Sequence, residues 1–337
     1  MIPPRENPHL IGHLQAEATL VASTASGRLA HAWLLLGPRG VGKATLGFRF
    51  ARFLLAGGHA PPAHAGSGLF SDTLPAPETP DGGLALDPDH PTFRRVAAGG
   101  HVDLMVLDAS SAVGRSGQIP VEAVRGVAPF LHQTAGEGGH RVVVVDALDE
   151  INPAGANSLL KLLEEPPTDA VLILVAHNSA RVLPTIRSRC RLLRLAPLSE
   201  EEVREVLMQQ APEHDGQVLN QAAQRSGGSP GQALALLEND GLAIHQATAA
   251  FWENRARTTP EALSALAGMA GQDSARFRHF AEAFTAGLVH AARQAGGGPA
   301  WDTLWTETLH LCERTEAVYL DRRQVALNRL TAAAKVG

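Results

Sequence analysis

The chain has 337 residues, 45% of them hydrophobic and 19% charged, with a formal net charge of −5. That length exceeds what one core usually serves and implies two or three domains, and no apolar run approaches the ~20 residues of a membrane span. The acidic balance argues against stand-alone binding of nucleic acid, which needs concentrated Lys and Arg. Two cysteines, Cys190 and Cys312, are too few for a disulfide framework or a thiolate zinc site and fit a reducing compartment. Residues Met1 to Pro8 lack the build of a signal peptide, so the expected location is cytoplasmic, with no membrane association.

In chain order, Leu10 to Leu29 reads as a short helix and turn, and from His31 to about Leu195 short apolar runs alternate with helical patterns. That is the signature of an α/β domain, a parallel sheet flanked by helices. Five strands are expected, at Trp33–Leu36, Leu104–Leu107, Val142–Val145, Leu172–Val175 and Leu192–Leu195, each apolar enough to be buried on both faces. Residues 57–100, dense in Gly, Pro, Ala and Asp, read as a surface insertion. Beyond Leu195 the pattern is helical. Ser199 and Glu202 have capping-box spacing, Gly227-Gly228 closes a helix, and Thr259-Pro260 opens another. Gly296-Gly297-Gly298-Pro299 breaks the chain, and Asp321 to Gln324 looks like a further cap. No internal repeat is visible.

Lysine is rare: it occurs only at 43, 161 and 335, against 26 arginines. Lys43 lies in Gly37-Pro38-Arg39-Gly40-Val41-Gly42-Lys43-Ala44-Thr45, the G-x-x-x-x-G-K spacing of a P-loop, directly after the first strand. In such a loop, backbone N–H groups curl round phosphates at a helix N-terminus and the lysine pairs with them. Gly37, Gly40, Gly42, Lys43 and Thr45 are therefore candidate nucleotide-binding residues. The position after the lysine, which should offer a hydroxyl to Mg²⁺, is Ala44. Thr45 lies about 100° further round the helix and does not replace it. The strand Val142–Val145 ends in Asp146, the expected Mg²⁺-holding carboxylate and the last binding candidate, but Ala147 follows it. Asp149 and Glu150 read as acids at the start of the next helix. Asn157 to Pro167 then forms an amphipathic helix stopped by two prolines, and after another strand comes Leu183 to Cys190, containing Ser188-Arg189-Cys190.

This ordered set, with Asn7 to His13 and His31 to Leu34, resembles the AAA+ subunits of the bacterial DNA polymerase III clamp loader over residues up to about 240. The resemblance implies a RecA-like P-loop domain over 1–195, a small helical lid domain over 196–240, and a helical collar over 241–337 through which subunits oligomerise. It implies that Arg189 is an arginine finger reaching the γ-phosphate held by a neighbouring motor subunit. Motor subunits also place a hydroxyl at 44, a Glu at 147 and an Arg in the lid turn, where this chain has Ala44, Ala147 and Gly228-Ser229-Pro230-Gly231-Gln232. Three such departures together favour a subunit without ATPase activity of its own, needing no cofactor, with bound but unhydrolysed ATP or ADP left open. No zinc is expected, because the insertion lacks cysteines and its histidines, His59, His64, His90 and His101, are irregularly spaced. The implied partners are the tau/gamma motor subunits and the delta subunit, with the sliding clamp and primer-template DNA met through the assembly. An active motor ATPase and a replication-unrelated AAA+ nucleotide switch stay as alternatives. Trp252, Trp301 and Trp305 fit either a private core or a subunit interface.

Overall fold

The computed structural model describes residues 1–58, 83–108, 119–137, 139–317 and 319–336. His59 and His64 lie outside them, as does much of the segment 57–100. The chain divides into two compact units, one of Met1–Pro212 with Gly227–Gly231, the other of Glu213–Ser226 with Gln232–Gly337.

The first unit carries a five-stranded parallel sheet of β1 (Ala32–Leu36), β2 (Leu104–Asp108), β3 (Arg141–Asp146), β4 (Ala170–Ala176) and β5 (Arg191–Arg194). Their order across the sheet is β2-β3-β4-β1-β5. All five expected strands are present, and the helical connections follow from parallel pairing, which cannot be made by hairpins. Residues on alternate sides of the pleat feed two cores. Leu34, Leu36, Val143, Val145, Leu172 and Leu174 face one layer; Trp33, Leu35, Val142, Val144, Val171 and Ile173 face the other. Helix α1 (Leu14–Ala25) and helix α2 (Lys43–Leu55) cover the second face through Leu20, Leu46, Phe50 and Leu54, with Phe50 edge-on to Trp33 at 5.9 Å. Helix α3 (Pro91–Ala97) lies in the segment read as a surface insertion, yet Leu84, Phe93 and Val96 are buried, so the end of that segment belongs to the core.

The other face is covered by α4 (Val121–Arg125), α5 (Val127–Leu131) and α6 (Pro153–Glu164), with α7 (Pro184–Arg187) a single turn before β5. Asn152 caps α6 by accepting the Gly155 N–H at 2.8 Å. Asp149 and Glu150 do not begin that helix as the acid-first-turn rule suggested; they sit in a separate 3₁₀ turn, Leu148–Glu150. A second correction concerns β5. Of its residues only Leu193 is buried, because it is one of the two edge strands, kept soluble by Arg191 and Arg194; β2, at the other edge, likewise fully buries only Leu107. Helix α8 (Glu200–Gln210) completes the unit, and its Ser199–Glu202 capping box is formed.

The second unit is helical. It holds α9 (Gly216–Arg225), most of α10 (Pro230–Leu237), α11 (Gly241–Asn254), α12 (Pro260–Ala270), α13 (Ser274–Gln294), α14 (Pro299–Ala317) and α15 (Arg322–Ala334). Thr259 and Asp321 cap α12 and α15, as their spacing suggests. Phe251, Phe277, Phe280, Phe284 and Trp301 form the centre of its core, with Trp252 and Trp305 packed against them. The tryptophans thus serve this unit's own interior. Among the described residues no helix is long and apolar enough to cross a membrane.

Candidate functional site

The phosphate loop runs from the end of β1 into α2, at the carboxyl edge of the sheet where parallel α/β folds place ligands. Two glycines are dictated by geometry. A Cβ on Gly37 would lie 2.3 Å from the Leu195 carbonyl oxygen, and Gly42, which precedes the first residue of α2, has φ of 104°, a conformation that side chains rarely adopt. Gly40 also has positive φ, at 77°.

The loop's carbonyls are met by donors of the same unit. The Lys43 ammonium donates to the carbonyl oxygens of Gly37, at 2.8 Å, and Pro38. Ser229 Oγ donates to Arg39 O at 2.8 Å, and the Gly231 N–H donates to Gly40 O at 3.0 Å. His13 Nε2 hydrogen-bonds Val41 O at 2.7 Å, and the Leu46 N–H takes Gly42 O at 2.9 Å as the first bond of α2. Six successive carbonyls are thus tied down, and the turn that departs from the motor-subunit pattern, Ser229 to Gly231, supplies two of the ties.

Lys43 is buried, and burial lowers its pKa to about 8, helped by Arg39 and opposed by Asp146 and Asp149. Asp146 closes β3 and pairs in register with Asp108 at the end of β2. Burial raises its pKa to about 6, with Glu150 and Asp108 adding repulsion and Lys43 and Arg39 opposing. Ala147 beside it is buried and offers no carboxylate. Thr45 is also buried, while Ala44 occupies the place of the missing hydroxyl. The structure therefore brings together Gly37, Gly40, Gly42, Lys43, Thr45 and Asp146 at one end of the sheet. The backbone and helix N-terminus there suit a phosphate, while positions 44 and 147, beside the lysine and the carboxylate, are alanines.

Three features around this cluster were not legible in the sequence. The Asp149 carboxylate accepts the backbone N–H groups of His177, at 3.1 Å, and Asn178, at 3.0 Å, fixing the loop after β4. His177 is held neutral, its pKa pushed to about 4 by burial and then by Lys43. The Arg39 guanidinium stands 3.5 Å from Glu150 across the mouth of the site. Each contact joins residues far apart in sequence.

Arg189 lies apart from this cluster in the turn between α7 and β5. Its guanidinium is paired with Glu164 at 2.7 Å and donates to Thr185 O at 2.9 Å. Cys190 beside it is half-buried, with its thiol pushed up to about 12 by burial, so it is inert as a nucleophile. Of the insertion histidines that are described, His90 caps α3 through its ring and His101 is buried beside Glu137.

Residues 84–199 match the family model described as DNA polymerase III, delta subunit. The chain is 35% identical over 202 residues to DNA polymerase III subunit delta-prime of Pseudomonas aeruginosa, covering 60% of this chain and 54% of that protein. It is 35% identical over 226 residues to the Escherichia coli subunit of that name, covering 66% and 58%. The gamma/tau subunit of Mycobacterium bovis is 29% identical over 234 residues, 68% of this chain and 36% of that one. The matches thus span little more than half the length of the delta-prime relatives. A DNA polymerase III gamma-subunit-related protein from Thermotoga maritima aligns at 15% identity over 95% of this chain and 99% of its own, with a TM-score of 0.45. With a P-loop directly after the first strand of a parallel α/β sheet, the chain is similar to the DNA polymerase III delta-prime and gamma/tau subunits over 60–68% of its length.

Proposed function

We propose that this chain is the delta-prime subunit of a clamp loader: it completes the loader ring without hydrolysing ATP and lends Arg189 to nucleotide held by a neighbouring tau/gamma motor subunit. The observation that carries this reading is the phosphate loop closed on its own chain. Lys43 is engaged with Gly37 and Pro38, Ser229 and Gly231 hold the next two carbonyls, and Ala44 and Ala147 stand where hydrolysis requires a hydroxyl and an acid. A loop of this kind keeps the fold of a nucleotide site without its chemistry. Arg189 fits the donor's role because it follows a short, well-fixed turn and its only described ion pair is to the half-exposed Glu164, a partner that a γ-phosphate can replace. In this reading the delta subunit, the sliding clamp and primer-template DNA are reached through the assembly.

The test is the DNA-stimulated ATPase of the reconstituted loader with the parent chain or Arg189→Ala, beside the isolated chain. The expected result is no turnover by the isolated chain and a loss in the assembly of up to about 10³-fold, the scale of an arginine finger. Turnover by the isolated chain, with an assembly indifferent to Arg189→Ala, would instead identify a motor ATPase or an independent nucleotide switch.

A further inference from the structure

The second unit contains a group of side chains that the replication reading does not use. His245 on α11, His279 on α13 and Glu282, one turn beyond His279 on the same face, each offer one ligand atom within 4.8 Å of the other two. The imidazole rings meet edge to face with centroids 6.0 Å apart. His279 is 6% exposed, and two ring nitrogens, His245 Nε2 and His279 Nδ1, are buried without a hydrogen-bond partner. Buried polar nitrogens cost free energy unless something satisfies them. Two in one place, facing a carboxylate, call for a common partner.

The surroundings decide what that partner is. The ring of His279 is wedged against the start of α11: a Cβ on Gly241 would lie 2.9 Å from its Nε2. Nε2 is therefore closed off, and Nδ1 is the edge left for a ligand. The carboxylate of Glu282 in the same cluster repels an anion and attracts a cation, so the common partner is a cation.

We infer that His245, His279 and Glu282 form a binding site for a first-row divalent cation of the zinc class, clasping α11 to α13 with two imidazoles and one carboxylate. Imidazole donors suit zinc, nickel, copper and iron over magnesium or calcium. Bonds of about 2.0–2.1 Å place tetrahedral donors about 3.4 Å apart, so atoms within 4.8 Å of one another close in by at most about 1.4 Å on metal binding. The exposed Glu282, exchanging its present contact for the metal, and the half-buried His245 supply that movement, while the buried His279 stays in place. Glu282 lies on the solvent side, which leaves the fourth position to water. The pattern was invisible in the sequence because the two histidines belong to different helices.

The full-length chain, purified without a polyhistidine tag and stripped with chelator, is titrated with Zn²⁺ by calorimetry and with Co²⁺ by visible absorption. One equivalent should bind, with a Co²⁺ spectrum of nitrogen and oxygen ligation, and the thermal midpoint of the second unit should rise. His245→Ala and Glu282→Gln, both at sites open enough for the fold to survive, should each weaken that binding about 10-fold or more, at least the loss seen when an outer-sphere partner is removed. Absence of saturable one-equivalent binding overturns the inference. So does binding that either variant leaves unchanged, which would place the ion on others of the 15 histidines.

Discussion

The Arg189 guanidinium and the Glu164 carboxylate, from two separate sequence motifs, meet at 2.7 Å. Glu164 is the last residue of α6, stopped there by Pro166 and Pro167, and Arg189 follows α7. Their side chains are 50% and 35% exposed, so solvent screens the pair and its contribution to stability is about 0–1 kcal/mol. Glu164→Gln should leave the thermal midpoint nearly unchanged. If Arg189 must leave Glu164 to reach a partner's nucleotide, the same substitution raises the assembly's ATPase rate by at most about fivefold, the equivalent of about 1 kcal/mol. A rate that falls with Glu164→Gln as it does with Arg189→Ala would show instead that the pair acts as a unit.

Asp146 makes stability depend on pH in a direction opposite to an ordinary paired carboxylate. Its folded pKa of about 6 lies above the ordinary carboxylate value of 3.8, so between those values the folded chain binds more protons than the unfolded one. Stability therefore falls as pH rises from about 4 to about 6, and the full penalty is present above that. Asp146→Asn removes the titration. Relative to the parent, the variant should be more stable at pH 7 than at pH 4, its free energy of unfolding in urea larger by about 2–3 kcal/mol. Lys43 acts at the other end of the scale. Its folded pKa of about 8 lies below the ordinary lysine value of 10.5, so stability rises as pH climbs between the two, and Lys43→Met should abolish that rise. A difference between Asp146→Asn and parent that stays flat with pH would mean that the carboxylate titrates normally.

The parts of this molecule legible in sequence are those set by local pattern. Four consecutive valines, Val142–Val145, make a doubly buried strand, and Ser199 with Glu202 makes a capping box, whatever surrounds them. The P-loop is legible because its glycines and lysine are fixed by the backbone path. The edge position of β5 is only half legible: Arg194 interrupts its leucines, but the sheet order is what puts Leu192 and Arg194 in solvent. The role of Asp149, which the helix-start rule misassigns, is not legible, because its acceptor duty depends on where β4 ends 28 residues later. Ser229 and Gly231 could be recognised as departures from a pattern, but their bonds to Arg39 and Gly40 bridge nearly 200 residues of sequence.

Those two residues allow steric and propensity effects to be separated. Gly231 lies in the first turn of α10, where alanine would ordinarily be favoured, in a helix interior by as much as about 1 kcal/mol. Here its Cβ would lie 2.9 Å from Gly40 Cα and 3.3 Å from Gly40 O, backbone atoms that cannot swing aside. Gly231→Ala should therefore destabilise the chain by about 1–3 kcal/mol, the range of overpacking. Ser229→Ala, which only removes the bond to Arg39 O, should cost about 1 kcal/mol. Urea unfolding of both variants checks the order. A Gly231→Ala protein more stable than the parent would mean that the turn yields easily and that the phosphate loop is not held by it.

The buried pair beneath the phosphate-loop helix sets a larger effect. Glu17 of α1 and Arg49 of α2 meet at 2.9 Å with side chains only 11% and 9% exposed. Glu17 also accepts the Leu84 N–H at 2.7 Å, and Arg49 also holds the Pro8 carbonyl, so the pair fastens the N-terminal segment and residue 84 to α2. Arg52, one turn on, donates to Arg5 O and Asn7 O and stacks over Phe93 at 4.4 Å. Glu17→Ala leaves a buried guanidinium without its counter-charge and a buried N–H without an acceptor. Breaking such a pair costs about 3–5 kcal/mol, whereas replacing both partners by apolar groups of similar volume is often near neutral. Glu17→Leu combined with Arg49→Met should then recover most of the loss suffered by either single variant, less the Leu84 and Pro8 hydrogen bonds, about 1 kcal/mol each. The expected signature is a coupling of at least about 2 kcal/mol in the double-mutant cycle, little changed by salt because the pair is shielded from counter-ions. Additive losses would show that each residue acts only through its separate backbone bond.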